Sequence, residues 1–239
     1  MTTSEGEAAA DEAPVVGPLV GGFFRYPWAA TLLMAWTVGV IDGSTWQRFE
    51  VFTSNQAGNL VLVGTTVFTD PAAAALPSAS LLGAILGVVA GTILGRHFPV
   101  DAPLRVLAPL ILATAVMVVT VVLDLGGAPL PALIPAVSGS LACLATAMVF
   151  LPSIGIWITA NTGQLLATMH GLSEARPGGW IRGLPFPVRR AVMLTLGFVL
   201  GAICSGIPVV TTHALLFGLV PTFFAIGMGF REYWTRRRA

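Results

Sequence analysis

Two short runs of amides, hydroxyls and glycine interrupt a chain that is otherwise oily. They are Phe52-Thr53-Ser54-Asn55-Gln56-Ala57-Gly58-Asn59-Leu60 and Ile158-Thr159-Ala160-Asn161-Thr162-Gly163-Gln164-Leu165. Thr53, Ser54, Asn55, Gln56 and Asn59 carry hydrogen-bond donors and acceptors, and Gly58 lets a second backbone or a ligand come close. Thr159, Asn161, Thr162, Gly163 and Gln164 supply the same chemistry in the second run. Where such groups line a wet cavity inside a bilayer they bind or pass a small solute or ion. The plainer role is to tie helices together by hydrogen bonds. Asp42 lies inside an apolar segment, so it is a candidate proton acceptor, ion ligand or counter-charge. Interfacial solvation, or pairing with Arg48 or Glu50, would make it structural instead. His213 is a candidate partner in a proton relay, against the ordinary role of a hydrogen-bonded residue at a helix end. No His/Glu pair at helical spacing, no paired aspartates within spans and no Cys/His constellation is present, so no catalytic residue, metal or cofactor is expected. Cys143 and Cys204 sit in apolar stretches without CxxC spacing and read as packing residues.

The polar runs need elements to hold them. Apolar stretches at 27–46, 76–95, 104–125, 129–150, 187–207 and 209–230 are each long enough to cross a hydrocarbon core as a helix. Two more, 49–68 and 153–170, contain the polar runs. Aligned on Gly58 and Gly163 the runs pair Ser54 with Thr159, Gln56 with Asn161, Ala57 with Thr162, Asn59 with Gln164 and Leu60 with Leu165. Gly87-Val88-Val89-Ala90-Gly91 likewise resembles Gly197-Phe198-Val199-Leu200-Gly201. An all-α membrane bundle with an internal duplication follows: an acidic tail over 1–24, one repeat over 25–125, a second over 126–230, and a basic tail over 231–239. Gly83, Gly87, Gly91 and Gly95 recur every fourth residue, and Gly197 and Gly201 repeat the spacing. Such stripes let helix backbones pack closely, either against one another or against the polar half-helices.

Arginine fixes the preferred topology. With six full spans and two re-entrant polar segments, Arg25, Arg96, Arg105, Arg176, Arg182, Arg189, Arg190, Arg231 and Arg236 to Arg238 share one face and only Arg48 lies opposite. Eight full spans would move Arg96 and Arg105 to the face of Arg48, a poorer fit to the positive-inside rule. The six-span arrangement makes the halves inverted copies and places the C-terminus in the cytoplasm.

Composition agrees. Hydrophobic residues make up 55% of the 239, charged residues only 10%, and mean hydropathy is +0.85, which calls for lipid as solvent. A net charge of +1, from arginines without a single lysine, excludes a nucleic-acid surface. The expected partners are the lipid bilayer, an unidentified small solute or ion and, as an option, a second copy of the chain. A bacterial inner membrane is the expected location.

Gly39-Val40-Ile41-Asp42-Gly43, followed by Phe52-Thr53-Ser54-Asn55-Gln56-Ala57-Gly58-Asn59, resembles the YoaK family of bacterial multi-pass membrane proteins of unknown function. That family carries Gly-x-x-Asp near the end of its first helix and then Phe-Thr-x-Asn-x-x-Gly-Asn. Thr162-Gly163 is similar to its later Thr-Gly signature, while Pro152-Ser153-Ile154-Gly155 stands where the family has a Gln-Asn pair. The resemblance runs from about Ala29 to Phe230 and implies fold and membrane location, but no activity. Three classes of function follow from the residues. A small-solute permease or channel is preferred, a non-transporting assembly or envelope-maintenance factor is second, and an intramembrane enzyme is third.

Overall fold

The computed structural model describes residues 27–100, 102, 104–150, 186–219, 223, 226, 227 and 234. Among them every regular element is helical. The helices are α1 (Pro27–Phe49), α2 (Gln56–Thr66), α3 (Pro71–Arg96), α4 (Leu104–Leu125), α5 (Leu130–Val149), α6 (Phe186–Cys204) and the short α7 (Pro208–Thr212), after which residues 214–219 are again helical. The acidic tail, the second polar run and most of the basic tail lie outside the described residues.

Three helices, Pro71–Arg96, Leu104–Leu125 and Leu130–Ala147, are long and apolar enough to cross a membrane. Their outward faces are apolar too. Leu82, Ile85, Leu86, Val89 and Ile93 of α3, Val119 and Val122 of α4, and Val199 and Ile203 of α6 are all exposed. An apolar band of that extent has no place in water, so the fold is that of a membrane-embedded helical protein. Hydroxyls within the helices return their protons to the preceding turn, as Thr37 does to the Leu33 carbonyl (3.0 Å) and Thr114 to that of Leu110 (2.8 Å).

The core joins Met34, Val38 and Ile41 of α1 to Leu107, Leu110 and Met117 of α4 and to Leu141 and Leu144 of α5. Around it the glycine stripes set two close helix pairs. On α3, a methyl built on Gly83 would strike the Pro135 backbone and one on Gly87 the Gly139 backbone, while Gly91 meets Cys143 and Thr146 and Gly95 meets Phe150. On α6, Gly197 faces Leu32 and Ala35 and Gly201 faces Trp36 and Val40, and just past its end Ser205 faces Gly43. Residue numbers rise together along both contacts, so α3 runs parallel to α5 and α6 runs parallel to α1. The stripes therefore meet neither each other nor α2. Each packs on a helix whose own surface is small or cedes its backbone, which gives α3 and α6 different partners.

Boundaries differ from the sequence expectation where local caps intervene. Helix α3 starts at Pro71, ahead of the expected 76, because Asp70 caps it: its carboxylate accepts from the Ala73 amide at 3.1 Å and proline occupies the first turn. The last expected span is divided. α6 stops at Cys204, the Thr211 hydroxyl donates to the Ser205 carbonyl across the turn, and His213 separates α7 from the helix that follows.

Candidate functional site

The first polar run breaks the chain between α1 and α2, and each of its side chains has a definite part in that break. Asp42, 2% exposed on α1, gathers the loop. Its Oδ1 accepts from the Thr53 amide (2.7 Å), the Thr53 hydroxyl (2.8 Å) and the Ser54 amide (2.7 Å), and its Oδ2 accepts from the Ser54 hydroxyl. Four donors converging on two oxygens are what an ionised, acceptor-only carboxylate accommodates. Among the described residues Asp42 has no ion-pair partner; Arg48 and Glu50 do not reach it. Asn55 caps α2, its side-chain oxygen accepting from the Gly58 amide at 3.4 Å.

Asn59, fully buried, clamps the other side of the break. Its oxygen accepts from the Phe52 amide (3.1 Å) and its nitrogen donates to the Phe52 carbonyl (2.6 Å), so one side chain satisfies both backbone groups of a residue outside the helices. The same nitrogen also lies 3.0 Å from Gln56 Oε1 and 3.0 Å from Ser80 Oγ. Ser80 of α3 gives its proton to the Phe52 carbonyl at 2.7 Å, so the proton between Ser80 and Ser138 of α5, 2.8 Å apart, comes from Ser138. Gln56 Nε2 donates to the Thr53 carbonyl at 2.9 Å. Gly58 leaves room for the Phe52 ring, which stacks on Trp46 at 4.5 Å.

Asp42, Thr53, Ser54, Asn55, Gln56, Gly58 and Asn59 thus form one continuous hydrogen-bonded assembly that also recruits Ser80 and Ser138. The two serines were not legible as site residues. Their only sequence signal is that Ser80 continues the Gly83, Gly87 and Gly91 stripe at helical spacing. His213 is exposed beyond α7 and is not among the donors to Asp42. Thr159, Asn161, Thr162, Gly163 and Gln164 fall outside the described residues.

Next to the break lies a cavity of about 330 Å³. Thr53, Ser54 and Gln56 form its polar end, and Leu81, Ala84, Ile85 and Val88 of α3 with Ala142 and Ala145 of α5 form its apolar walls. A pocket of that size is at the small end of ligand sites, which run from about 300 to 1,000 Å³. Among the described residues no cluster of His, Cys, Asp or Glu could hold a metal ion.

Residues 30–229 match the family described as protein of unknown function, DUF1275. The chain belongs to the DUF1275 family. The matched stretch coincides with the part of the chain over which the YoaK resemblance extends, and it includes both polar runs and both glycine stripes. No curated protein matches the chain, and no solved structure does.

Proposed function

We propose that this DUF1275 protein is an inner-membrane permease or channel for a small solute, built as two inverted repeats, with its pathway passing the break between α1 and α2. The observation that carries this reading is the cavity at the break, where a non-helical backbone lies beside Thr53, Ser54 and Gln56 within an apolar bundle. Irregular backbone at membrane depth is tolerated where protein buries it or where it lines a cavity, and this segment does both.

Two further features support the architecture. The glycine contacts repeat in register. Gly87 meets residue 139 and Gly197 meets residue 32; Gly91 meets 143 and Gly201 meets 36; Gly95 meets 150 and Ser205 meets 43. In each comparison the partners differ by 107 positions, and the first helix of each half packs on the third helix of the other. The second feature is direction. Asp124, Leu130 and Thr211 share a small cavity with Thr45 and Arg48, so the end of α1 lies with the end of α4 and the start of α5. Since α3 runs parallel to α5, α3 begins on that side as well. α2, about 16 Å long at 1.5 Å per residue, returns there from the break. That path makes the first polar segment re-entrant, which supports the proposed arrangement of six spans with a cytoplasmic C-terminus.

Cysteines placed singly at Asp70, Val100 and Gly127, in a chain lacking Cys143 and Cys204, test the path. Labelling from the periplasm at 70 and 127 but not at 100 is expected, and labelling at 100 would defeat it. Flux into proteoliposomes, compared between the native chain and Gln56→Leu, tests transport. Loss of flux by a chain that still folds, at some cost in melting temperature from the lost bonds to Thr53 and Asn59, is expected.

One observation favours the non-transporting reading. The polar groups of the break are largely satisfied by one another, as a purely structural lock would have them. A folded chain that passes no solute in the flux assay selects that reading.

A further inference from the structure

We infer that the cavity beside the break selects a small hydrophobic cation: an organic ammonium whose hydrocarbon body fills the α3–α5 walls and whose N–H groups meet Gln56 at the end backed by Thr53 and Ser54. This rests on the reading of the cavity as the solute site and adds the chemical class of the solute.

The polarity of the site follows from where its protons go. The Thr53 and Ser54 hydroxyls both donate to Asp42, and so do their backbone amides. Gln56 Nε2 is turned to the Thr53 carbonyl, with Ser80 Oγ at 3.4 Å beyond it. Every proton these three side chains own is committed inside the protein. With Thr53 wholly buried and Ser54 nearly so, what remains for a guest is the second acceptor position of Gln56 Oε1, whose other position is taken by Asn59. A site made only of acceptors binds donors, and it leaves a carboxylate or phosphate without a partner.

Charge points the same way. Behind the two hydroxyls stands the Asp42 carboxylate, buried and without a cation among the described residues. The N-terminus of α2 opens at the same place and brings the opposite sign, but a helix end amounts to only about half an elementary charge, set against a carboxylate whose four donors favour its charged form. Hydrogen bonds that run from the hydroxyls to Asp42 polarise their oxygens further toward a cation. The walls set the rest of the ligand. Ala84, Ile85, Ala142 and Ala145 carry no polar side-chain atom, so a bare hydrated ion would lose its water there without replacement.

Calorimetric titration of the detergent-solubilised full chain tests this with three probes of one length: hexylammonium, hexanol and hexanoate. Hexylammonium is expected to bind about tenfold or more tightly than hexanol, since charge-assisted hydrogen bonds are about twice as strong as neutral ones, and hexanoate is expected not to bind. Equal binding of hexylammonium and hexanol, preference for hexanoate, or no binding of any probe by folded protein would each overturn the assignment. Ala145→Met should abolish hexylammonium binding by filling the pocket. Should that variant not fold, Ile85→Trp, altering an exposed residue at the outer wall, blocks the site without disturbing the core, and undiminished binding to it would also overturn the assignment. Flux is scored separately. A chain that binds hexylammonium but passes none of it keeps this inference and loses the permease, whereas flux of a solute that does not compete with hexylammonium keeps the permease and loses this inference.

Discussion

The pairs α3–α5 and α1–α6 are packed alike and equipped differently. In both, a stripe of glycines with a spacing of four lets one backbone rest on another, and the partner positions stand 107 residues apart throughout. At the far ends the likeness stops. Ser205, just past the end of α6, faces Gly43, small against small, whereas Gly95 of α3 faces the ring of Phe150. Displacing α1 by the same 107 residues puts Val149 where Asp42 stands. Close backbone packing therefore does not call for the acid. The broken segment does, because Thr53 and Ser54 present two backbone amides and two hydroxyls that the helices cannot satisfy.

The largest effect should come from making α1 like α5 at that point. Asp42→Val leaves the Thr53 and Ser54 amides buried without acceptors, and at about 1–3 kcal/mol for each orphaned group the loss is about 2–6 kcal/mol. Equilibrium unfolding in detergent micelles measures it. A loss below about 1 kcal/mol would mean that the loop finds other acceptors, and the contrast between the pairs would lose its cause.

Next in size are substitutions that probe whether the two stripes are one device. Gly87→Ala and Gly201→Ala each press a methyl into a neighbouring backbone carbonyl, of Gly139 and Trp36 respectively. Neither backbone can turn aside, so each should cost about 1–3 kcal/mol, the usual range for overpacking. Gly91→Ala should cost less than either. Its methyl would lie 3.1 Å from Cys143 Sγ and from Thr146 Cβ, side-chain atoms that can shift by a few tenths of an ångström. Equal losses at 87, 91 and 201 would show that the stripes respond to helix propensity and not to the neighbours described.

How much of this was legible beforehand depended on the range of the interaction. Helix existence followed from hydropathy over twenty-residue windows, and an interruption over 52–60 followed from a local run of hydroxyls, amides and glycine, of which only the part before Gln56 is non-helical. The glycine stripes were visible as a spacing, but their partners were not. Nothing within 83–95 says that α5, and not α6, will lie against it, because that choice is made by shape complementarity over a whole helix face. Asp42 was singled out for its charge, yet its four donors come from positions 53 and 54, across a turn whose geometry no pattern specifies. Ser80 and Ser138, common residues among alanines and leucines, gained meaning only when folding set them 2.8 Å apart.

Ser80→Ala measures that hidden link. The substitution removes the donor to the Phe52 carbonyl and the hydroxyl that binds Ser138, while Asn59 still reaches the same carbonyl at 2.6 Å. Because one acceptor keeps a partner, the expected loss is about 1–2 kcal/mol, toward the lower part of the range for buried groups. A double cycle of Ser80→Ala with Ser138→Ala should show coupling, and strict additivity would mean that the two hydroxyls act separately.

The smallest effect concerns two turns in the left-handed region of the backbone. Gly127, φ 86°, joins α4 to α5, whereas Glu50, φ 53°, ends α1 at the mouth of the break. The left-handed conformation costs an L-residue about 1–2 kcal/mol. Nothing lies within 4 Å of a methyl built on Gly127, so Gly127→Ala isolates that conformational cost and should destabilise by about 1 kcal/mol. Glu50→Gly should run the other way. Relief of strain is offset in part by the extra freedom glycine has in the unfolded chain, about 0.5–1 kcal/mol, so the net gain should be at most about 1 kcal/mol. A marked loss on Glu50→Gly would show that the Glu50 side chain does more than end a helix, and the two turns could then no longer be compared as backbone alone.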